Sequence, residues 1–128
     1  MDNRKYTRLA IDVVVELRFG DGGHLYGETA DISLDGAFVE LTPPDSIRAG
    51  DDCRLDLIIK TEEGWVRVAF TSTVAHIRPG GIGLRFDAAH AAHHESFLRL
   101  LIEGAPDIDC LLEELSRHPG EGFRFDGT

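Results

Sequence analysis

The chain has 128 residues, 42% of them hydrophobic, and a net charge of −10. This length is sufficient for one globular domain whose core needs neither disulfides nor a structural metal. The net negative charge argues against broad binding to nucleic acid or to acidic membranes, because both need a positive field. No run reaches the roughly eighteen apolar residues of a membrane span, and the polar first residues lack a signal peptide's apolar centre. We therefore expect a cytoplasmic protein with no membrane insertion.

The positive charge is concentrated at the start of the chain. Residues 1–8 have a net charge of +2, which leaves −12 on the other 120 residues. A local positive field of this kind attracts anions even when the rest of the protein is acidic. We therefore expect a small anion to bind at this N-terminal arm.

The following residues have strand patterns. Residues 9–19 alternate with the period of a strand, with Val15 and Leu17 facing inward and Glu16 and Arg18 on the solvated face. Further strands are predicted at residues 24–30, 37–41, 53–60, 65–76 and 82–86. Glycine and proline turns separate them at short, regular intervals. The pattern predicts a mainly β protein, a small antiparallel barrel or sandwich of six strands.

Two helices are predicted after the strands. Asp87 is a plausible N-cap for a helix over residues 88–103, and Gly104 would stop it. A second, amphipathic helix is expected over residues 106–118, followed by a loose tail at 123–128. Apolar side chains recur at helical spacing in both, namely Ala89, Phe97, Leu100 and Leu101 in the first and Ile108, Leu111, Leu112 and Leu115 in the second.

Two short motifs carry binding chemistry. Arg4 and Arg8 stand four residues apart in the arm, and two guanidinium groups at this spacing can bracket one planar, anionic ligand. The stretch Asp31-Ile32-Ser33-Leu34-Asp35-Gly36 combines a carboxylate, a hydroxyl and a glycine at fixed offsets. Taken alone, the first motif is equally a solvated arm, and the second is more often a plain turn.

In combination, Arg-x-x-x-Arg before the first strand and Asp-x-Ser-x-x-Gly about twenty residues later resemble the PilZ domain family. A glycine-bearing last strand that ends in phenylalanine, Gly81-Ile82-Gly83-Leu84-Arg85-Phe86, adds to the resemblance. The resemblance covers about residues 3–87 and the helix that follows. It implies a six-stranded antiparallel β-barrel with C-terminal α-helices that binds the bacterial second messenger cyclic di-GMP.

The resemblance also implies a role for each motif residue. Arg4 and Arg8 would hold the phosphates and the guanine Hoogsteen edge. Asp31 would accept from guanine N1 and N2, Ser33 would bond to the ligand's polar edge or phosphate, and Gly36 would permit the turn. Secondary candidates are Asn3, Lys5, Gly83 and Arg85. Many PilZ domains carry another basic residue beside the first arginine. Here Asn3 and Lys5 flank it, which leaves open whether one ligand or a stacked pair binds.

The resulting hypothesis is a cyclic di-GMP receptor that acts on an unidentified protein partner, with residues 1–104 as the PilZ domain. Within it, residues 1–8 form the arm, 9–87 the barrel and 88–104 the helix, while 105–128 extend beyond it. The extension packs on the domain or serves as a docking or homodimer helix. The alternatives are an adaptor that binds no nucleotide and an oligonucleotide-binding barrel, which the charge disfavours. No catalytic constellation, cofactor or metal site is expected, and we read the cluster His90, His93 and His94 as an exposed polar face.

Overall fold

The computed structural model describes residues 8–20, 22–89 and 94–105, together with Asp109 and Glu113. Six antiparallel strands close into a barrel in the order β1-β2-β3-β6-β5-β4, which confirms the fold that the sequence predicted. The elements are β1 (Val14–Phe19), β2 (His24–Ile32), β3 (Gly36–Glu40), β4 (Asp52–Thr61), β5 (Gly64–Arg78), β6 (Gly81–Ala89) and α1 (His94–Gly104).

The core fills the barrel and continues under α1. Alternate strand residues point inward and are fully buried, including Val15, Leu17, Leu55, Leu57, Val68 and Ile82. On α1, Phe97 and Leu101 are also fully buried. The ring of Phe97 packs edge-on against Phe70 at 5.0 Å and Phe86 at 6.0 Å between centroids. The helix is therefore fixed to the barrel by aromatic packing, in a geometry that aromatic pairs prefer.

The first strand is shorter than predicted, because it begins at Val14 rather than at residue 9. Leu9 makes a single bridge with Ile32, in which each residue's N–H donates to the other's carbonyl. Between this bridge and β1, the Thr29 N–H donates to the carbonyl of Val13 at 2.9 Å, and the buried hydroxyl of Thr29 adds two further bonds. It donates to the carbonyl of Ile11 at 2.5 Å and accepts the N–H of Val13 at 2.8 Å. The alternation pattern predicted that residues 9–13 pair as part of a strand, and part of their hydrogen bonding is instead supplied by the Thr29 side chain.

The prediction that a helix begins at residue 88 is wrong. Strand β6 continues through Ala89, and α1 begins at His94. Asp87 does not act as an N-cap; its carboxylate accepts bonds from Thr73 Oγ1 and Arg85 Nε. Because β5 is fifteen residues long, it offers ladder partners for Ala88 and Ala89. Sheet pairing therefore overrides the helical propensity of the alanines.

Other boundaries differ by only a few residues. Strand β2 extends to Ile32, so that Asp31 lies in a strand rather than in a turn, and β3 begins at Gly36. Most of the predicted second helix, including its apolar stripe, and the predicted tail at 123–128 lie outside the described residues. Within 106–118, Asp109 and Glu113 are described, and both are helical.

Candidate functional site

One row of outward side chains crosses four neighbouring strands. Asp31 on β2 pairs with Phe38 on β3, Phe38 pairs with Gly83 on β6, and Gly83 pairs with His76 on β5. Arg8, from the segment before β1, bonds to Asp31 at the end of this row. We call these five residues the ligand face. They bring a cation, a carboxylate, two flat rings and a glycine without a side chain onto one surface.

Two β-bulges give this row its outward direction. The register of β2 shifts between Thr29, which is fully buried, and Asp31, and that of β5 shifts between Val74, also buried, and His76. Without the extra residue, alternation would place Asp31 on the inward side with Thr29, and His76 inward with Val74. The bulges therefore turn a carboxylate and an imidazole out of the core and onto the ligand face.

The pair between Arg8 and Asp31 is only partly saturated. Arg8 Nη1 lies 3.1 Å from Asp31 Oδ1, and the two side chains keep 23% and 31% of their surface exposed. The Nε of Arg8 is buried and has no hydrogen-bond partner in the described part of the chain. A guanidinium has five N–H donors, so this arginine retains donors for an anionic or carbonyl group.

Gly83 creates room for the two rings of the row. A Cβ at this position would overlap Cε1 of His76, so the imidazole occupies the space of the missing side chain. Phe38 and His76 approach each other across the glycine, with ring centroids 5.9 Å apart and planes inclined by 21°. Burial and the positive charges of Arg78 and Arg8 lower the pKa of His76, against an opposing effect of Asp31. These effects together favour the neutral form of the half-buried ring.

Ser33 and Gly36 belong to the turn beside this row. The hydroxyl of Ser33 is buried and donates to Asp35 Oδ1 at 2.6 Å, while it accepts the N–H of Asp35 at 3.3 Å. A Cβ on Gly36 would overlap the carbonyl oxygen of Leu84, so the glycine is required by the close approach of β3 to β6. In this geometry both residues hold the turn that follows Asp31.

The remaining predicted site residues are distributed differently. Arg85 pairs with Gly36 in the β3–β6 ladder, is 60% exposed and makes an ion pair with Asp87. Arg4, Asn3 and Lys5 lie outside the described residues. The sequence motifs did not point to Phe38 and His76, although both lie in predicted strands. Regular alternation would place His76 inward, because it does not include the bulge in β5. An aromatic residue at an alternating strand position, such as Phe38, is typical of a core residue.

The prediction that Glu16 lies on a solvated face is wrong, because its side chain is only 3% exposed. Arg67 Nη1 lies 2.6 Å from the carboxylate of Glu16 and 3.1 Å from that of Asp56, which is 2% exposed. Arg67 therefore links the two carboxylates. Arg18 and Arg54 complete the network from the two sides. We call the outer surface formed by Arg18, Arg54, Arg67, Val14, Tyr26 and Trp65 the arginine face. Charge pairing, which period-two alternation does not register, buries these carboxylates on the outside of the barrel.

Within the described residues, the ligand face lies on the outer surface of the barrel. A cavity of about 360 Å³ lies at the other end of β2, among Phe19, His24, Leu25 and Ile47, and does not include the ligand face. A ligand on the row from Asp31 to His76 would therefore lie against the outside of the barrel. It would need a further segment to shield it from water.

The barrel lies within the match to a known family model. The PilZ domain model matches residues 2–103. This chain belongs to the PilZ domain family. The match includes the whole barrel and nearly all of α1. Among the curated proteins, no match was found.

Solved PilZ structures share the fold at low sequence identity. The PilZ domain of CeSA from a cellulose-synthesizing bacterium is 18% identical, with a TM-score of 0.61 over 76% of this chain and 96% of that one. The PilZ domain of YcgR from Escherichia coli, solved with cyclic di-GMP, is 16% identical, with a TM-score of 0.56 over 91% and 97%. The Bacillus subtilis inhibitor of motility, MotI/DgrA, is 19% identical with a TM-score of 0.66 over 80% of this chain. The match spans about half of that protein's length, 51%.

The described residues contain neither a membrane-spanning helix nor a cluster of metal-binding side chains. Across residues 8–20, 22–89 and 94–105, no helix is long and apolar enough to span a membrane. The described residues also hold no group of three or more histidine, cysteine or acidic side chains that could bind a metal ion.

Proposed function

We propose that this PilZ domain binds cyclic di-GMP on the ligand face and passes the signal to a protein partner, without catalysing a reaction. The observation that carries the proposal is the partly exposed pair of Arg8 and Asp31, with a buried Nε that has no partner among the described residues, at one end of a row with two rings. A guanine presents acceptors on its Hoogsteen edge and donors at N1 and N2, which match a guanidinium and a carboxylate respectively. The family membership and the ligand of the YcgR domain add support.

The arm would close over the ligand. Arg8 is anchored directly before the Leu9–Ile32 bridge, and Thr29 holds the next residues of the segment. Residues before Arg8, including Arg4, would then reach the ligand from the side opposite the barrel and engage its phosphates. Because ordering a segment costs conformational entropy, ligand binding and arm docking are coupled. The surface that a partner contacts then differs between the two states.

The two rings of the row would provide a surface for a base. The imidazole of His76 lies flat over Gly83 and is half-buried, with Phe38 beside it. A purine that stacks there gains about 1–3 kcal/mol by analogy with base stacking on aromatic side chains. Gly83 would act indirectly, by leaving the space that the imidazole fills.

Ser33 would act through the turn. Its hydroxyl is already engaged with Asp35, so its contribution would be to hold Asp31 and the start of β3 in place. Gly36 would contribute in the same way, since the β3–β6 approach requires it.

Calorimetric titration of the full chain with cyclic di-GMP tests the proposal. Arg8→Ala and Asp31→Ala are each expected to weaken binding by about 1–3 kcal/mol. Arg99→Ala, which removes an exposed cation from α1, is the matched control and should bind like the parent chain. Because Arg8 and Asp31 pair with each other, the double variant should lose less than the sum of the single losses.

Each outcome has a defined meaning. An absence of heat from a folded parent chain at micromolar ligand would reject cyclic di-GMP as the ligand and favour an adaptor that binds no nucleotide. Binding that survives both substitutions unchanged would reject the ligand face as its location. Heat that saturates at two ligands per chain would identify a stacked pair rather than one molecule.

A further inference from the structure

The arginine face lies on the side of the barrel opposite the ligand face. In the closed strand order, β1 is three strands from β6 in either direction, and β4 is three strands from β3. The ligand face is centred on β3 and β6 and the arginine face on β1 and β4. Both faces reach β2 and β5, at different positions along these strands. A molecule bound on one face therefore leaves the other accessible.

The arginines of this face are held in fixed positions. Arg18, Arg54 and Arg67 are 45%, 50% and 48% exposed, whereas the carboxylates beneath them, Glu16 and Asp56, are 3% and 2% exposed. The hydrogen bond from Arg67 is the main cause of the lowered pKa of Glu16, so this carboxylate remains ionised at neutral pH. Each guanidinium has five N–H donors, and these ion pairs engage only part of them. Further binding would cost little side-chain entropy, because the arginines are already ordered.

Exposed apolar and aromatic side chains accompany the arginines. Val14 is 43% exposed, Tyr26 63% and Trp65 67%. Cross-strand pairing places Tyr26 beside Glu16, Val14 beside Ile58, and Ile58 beside Arg67, so that the apolar and charged groups interleave. Single exposed hydrophobic residues are ordinary on protein surfaces. Here two of the three, Tyr26 and Trp65, lie among ordered arginines, and tryptophan, tyrosine and arginine are the residues in which interface binding energy is concentrated.

We propose that the arginine face is the docking site for an acidic segment of a partner protein, one that also carries an aliphatic or aromatic anchor residue. Four cations lie on or beside this face, namely Arg18, Arg54, Arg67 and Lys60, and all four are exposed. Of the four carboxylates there, Glu16 and Asp56 are buried beneath the arginines, so that only Glu28 and Asp52 are exposed. The whole chain, in contrast, has a net charge of −10. An acidic partner is repelled by most of the protein and attracted to this face, which orients its approach.

A second copy of this chain fits the face less well. A two-fold interface is self-complementary, so it would bring the arginine face of one copy against the arginine face of the other. The like charges would then oppose each other across the interface. The inference specifies the partner part of the proposed function and does not require that the ligand be cyclic di-GMP.

A displayed library of random peptides, selected on the full chain without nucleotide, tests the inference. Counter-selection on the double variant Trp65→Ala/Arg54→Gln removes peptides that bind elsewhere, including on the ligand face. Synthetic versions of the enriched peptides are then titrated by fluorescence anisotropy. We expect acidic sequences with at least one large apolar residue, and affinities that fall about tenfold or more in each single variant. Ile77→Ala, another exposed hydrophobic on β5, and Arg99→Gln are matched controls that should change affinity by less than about twofold.

Three outcomes would overturn the inference. The first is a selection that leaves no peptides after counter-selection, with all variants shown to be folded by circular dichroism. The second is enrichment of peptides that lack acidic residues. The third is a dimer in sedimentation that dissociates in Trp65→Ala, which would assign the face to a second copy. None of these results bears on nucleotide binding, which the calorimetric titration measures separately.

Discussion

The ligand face and the arginine face lie on opposite sides of one barrel and are both built from arginine–carboxylate pairs, yet their carboxylates differ in burial. On the arginine face three arginines cover two carboxylates that are almost fully buried. On the ligand face one arginine meets one carboxylate that is 31% exposed, and the arginine's Nε has no partner among the described residues. The network of the arginine face shields its carboxylates and fixes its side chains in place, whereas the pair of the ligand face leaves its carboxylate accessible to a ligand.

The supporting structure differs as well. The arginine face lies on regular ladders between β1, β4 and the first half of β5, with no shift of register. The ligand face depends on bulges in β2 and β5 and on two glycines, Gly36 and Gly83. At both positions a Cβ would overlap a neighbouring residue. Substitutions should therefore distinguish the two faces. Changes on the arginine face should alter stability but not the affinity for cyclic di-GMP, whereas changes on the ligand face should alter stability, ligand affinity or both.

The largest effect on stability is expected for Gly36→Ala. The new Cβ would clash with the backbone carbonyl of Leu84, which cannot move without breaking the β3–β6 ladder. We expect a loss of about 2–3 kcal/mol in the free energy of unfolding, measured by urea denaturation. Gly80→Ala is the control, because a Cβ at that position would meet no atom within 4 Å. Equal stability of the two variants would show that β3 does not pack against β6 as described.

Glu16→Gln should destabilise the protein without affecting the ligand. It removes the charge that pairs with Arg67 and Arg18, and we expect a loss of about 2 kcal/mol in unfolding free energy. The affinity for cyclic di-GMP should change by less than about twofold, because the two faces share no contact. Glu40→Gln, at an exposed position of β3, is the control for charge alone. A marked loss of ligand affinity in Glu16→Gln would contradict the separation of the faces.

Thr29→Val should affect both stability and binding. It removes the hydroxyl that bonds Ile11 and Val13, and we expect a loss of about 1–2 kcal/mol in stability. Ligand affinity should fall several-fold because the segment that positions Arg8 then keeps only its backbone bonds to Ile32 and Thr29. Thr29→Ser keeps the hydroxyl and should restore the affinity.

Ser72→Ala provides the comparison for this prediction. Ser72 is also fully buried, but its hydroxyl has no hydrogen-bond partner within the described residues, so its removal should not reduce stability. If Thr29→Val bound cyclic di-GMP as tightly as the parent chain, Thr29 would not position the arm.

The smallest effect is a dependence on pH. The pKa of Glu16 is lowered from its ordinary value of 4.5, chiefly by the hydrogen bond from Arg67. Its stabilising contribution is therefore fully present above pH 4.5 and is lost as the pH falls through the folded-state value. The stability difference between the parent chain and Glu16→Gln should shrink progressively in urea titrations below that pH. A constant difference would mean that the carboxylate does not titrate with the network.

The sequence was sufficient for the architecture and for three of the five residues of the ligand face, namely Arg8, Asp31 and Gly83. Turn glycines and period-two alternation predicted six strands, and the motif containing Asp31 fell next to the arm that carries Arg8. Strand periodicity assumes a continuous register, so it could not reveal the bulges that turn Asp31 and His76 outward. It also could not distinguish Phe38 from a core residue.

The errors have local physical causes. The alanines after Asp87 favour a helix intrinsically, but the length of β5 provides ladder partners that extend β6. Glu16 follows the pattern of a solvated position, and only its three-dimensional neighbours bury it. In both cases tertiary contacts decide the outcome, and a local sequence pattern contains no information about them.

The most direct test of the central claim is a nuclear magnetic resonance titration of the full chain with cyclic di-GMP. The account predicts that backbone amide signals of Asp31, Phe38, Gly83 and His76 shift with the ligand, while those of Glu16 and Asp56 stay in place. Saturable shifts centred on Glu16 and Asp56, with the signals of Asp31 and Gly83 unchanged, would contradict it.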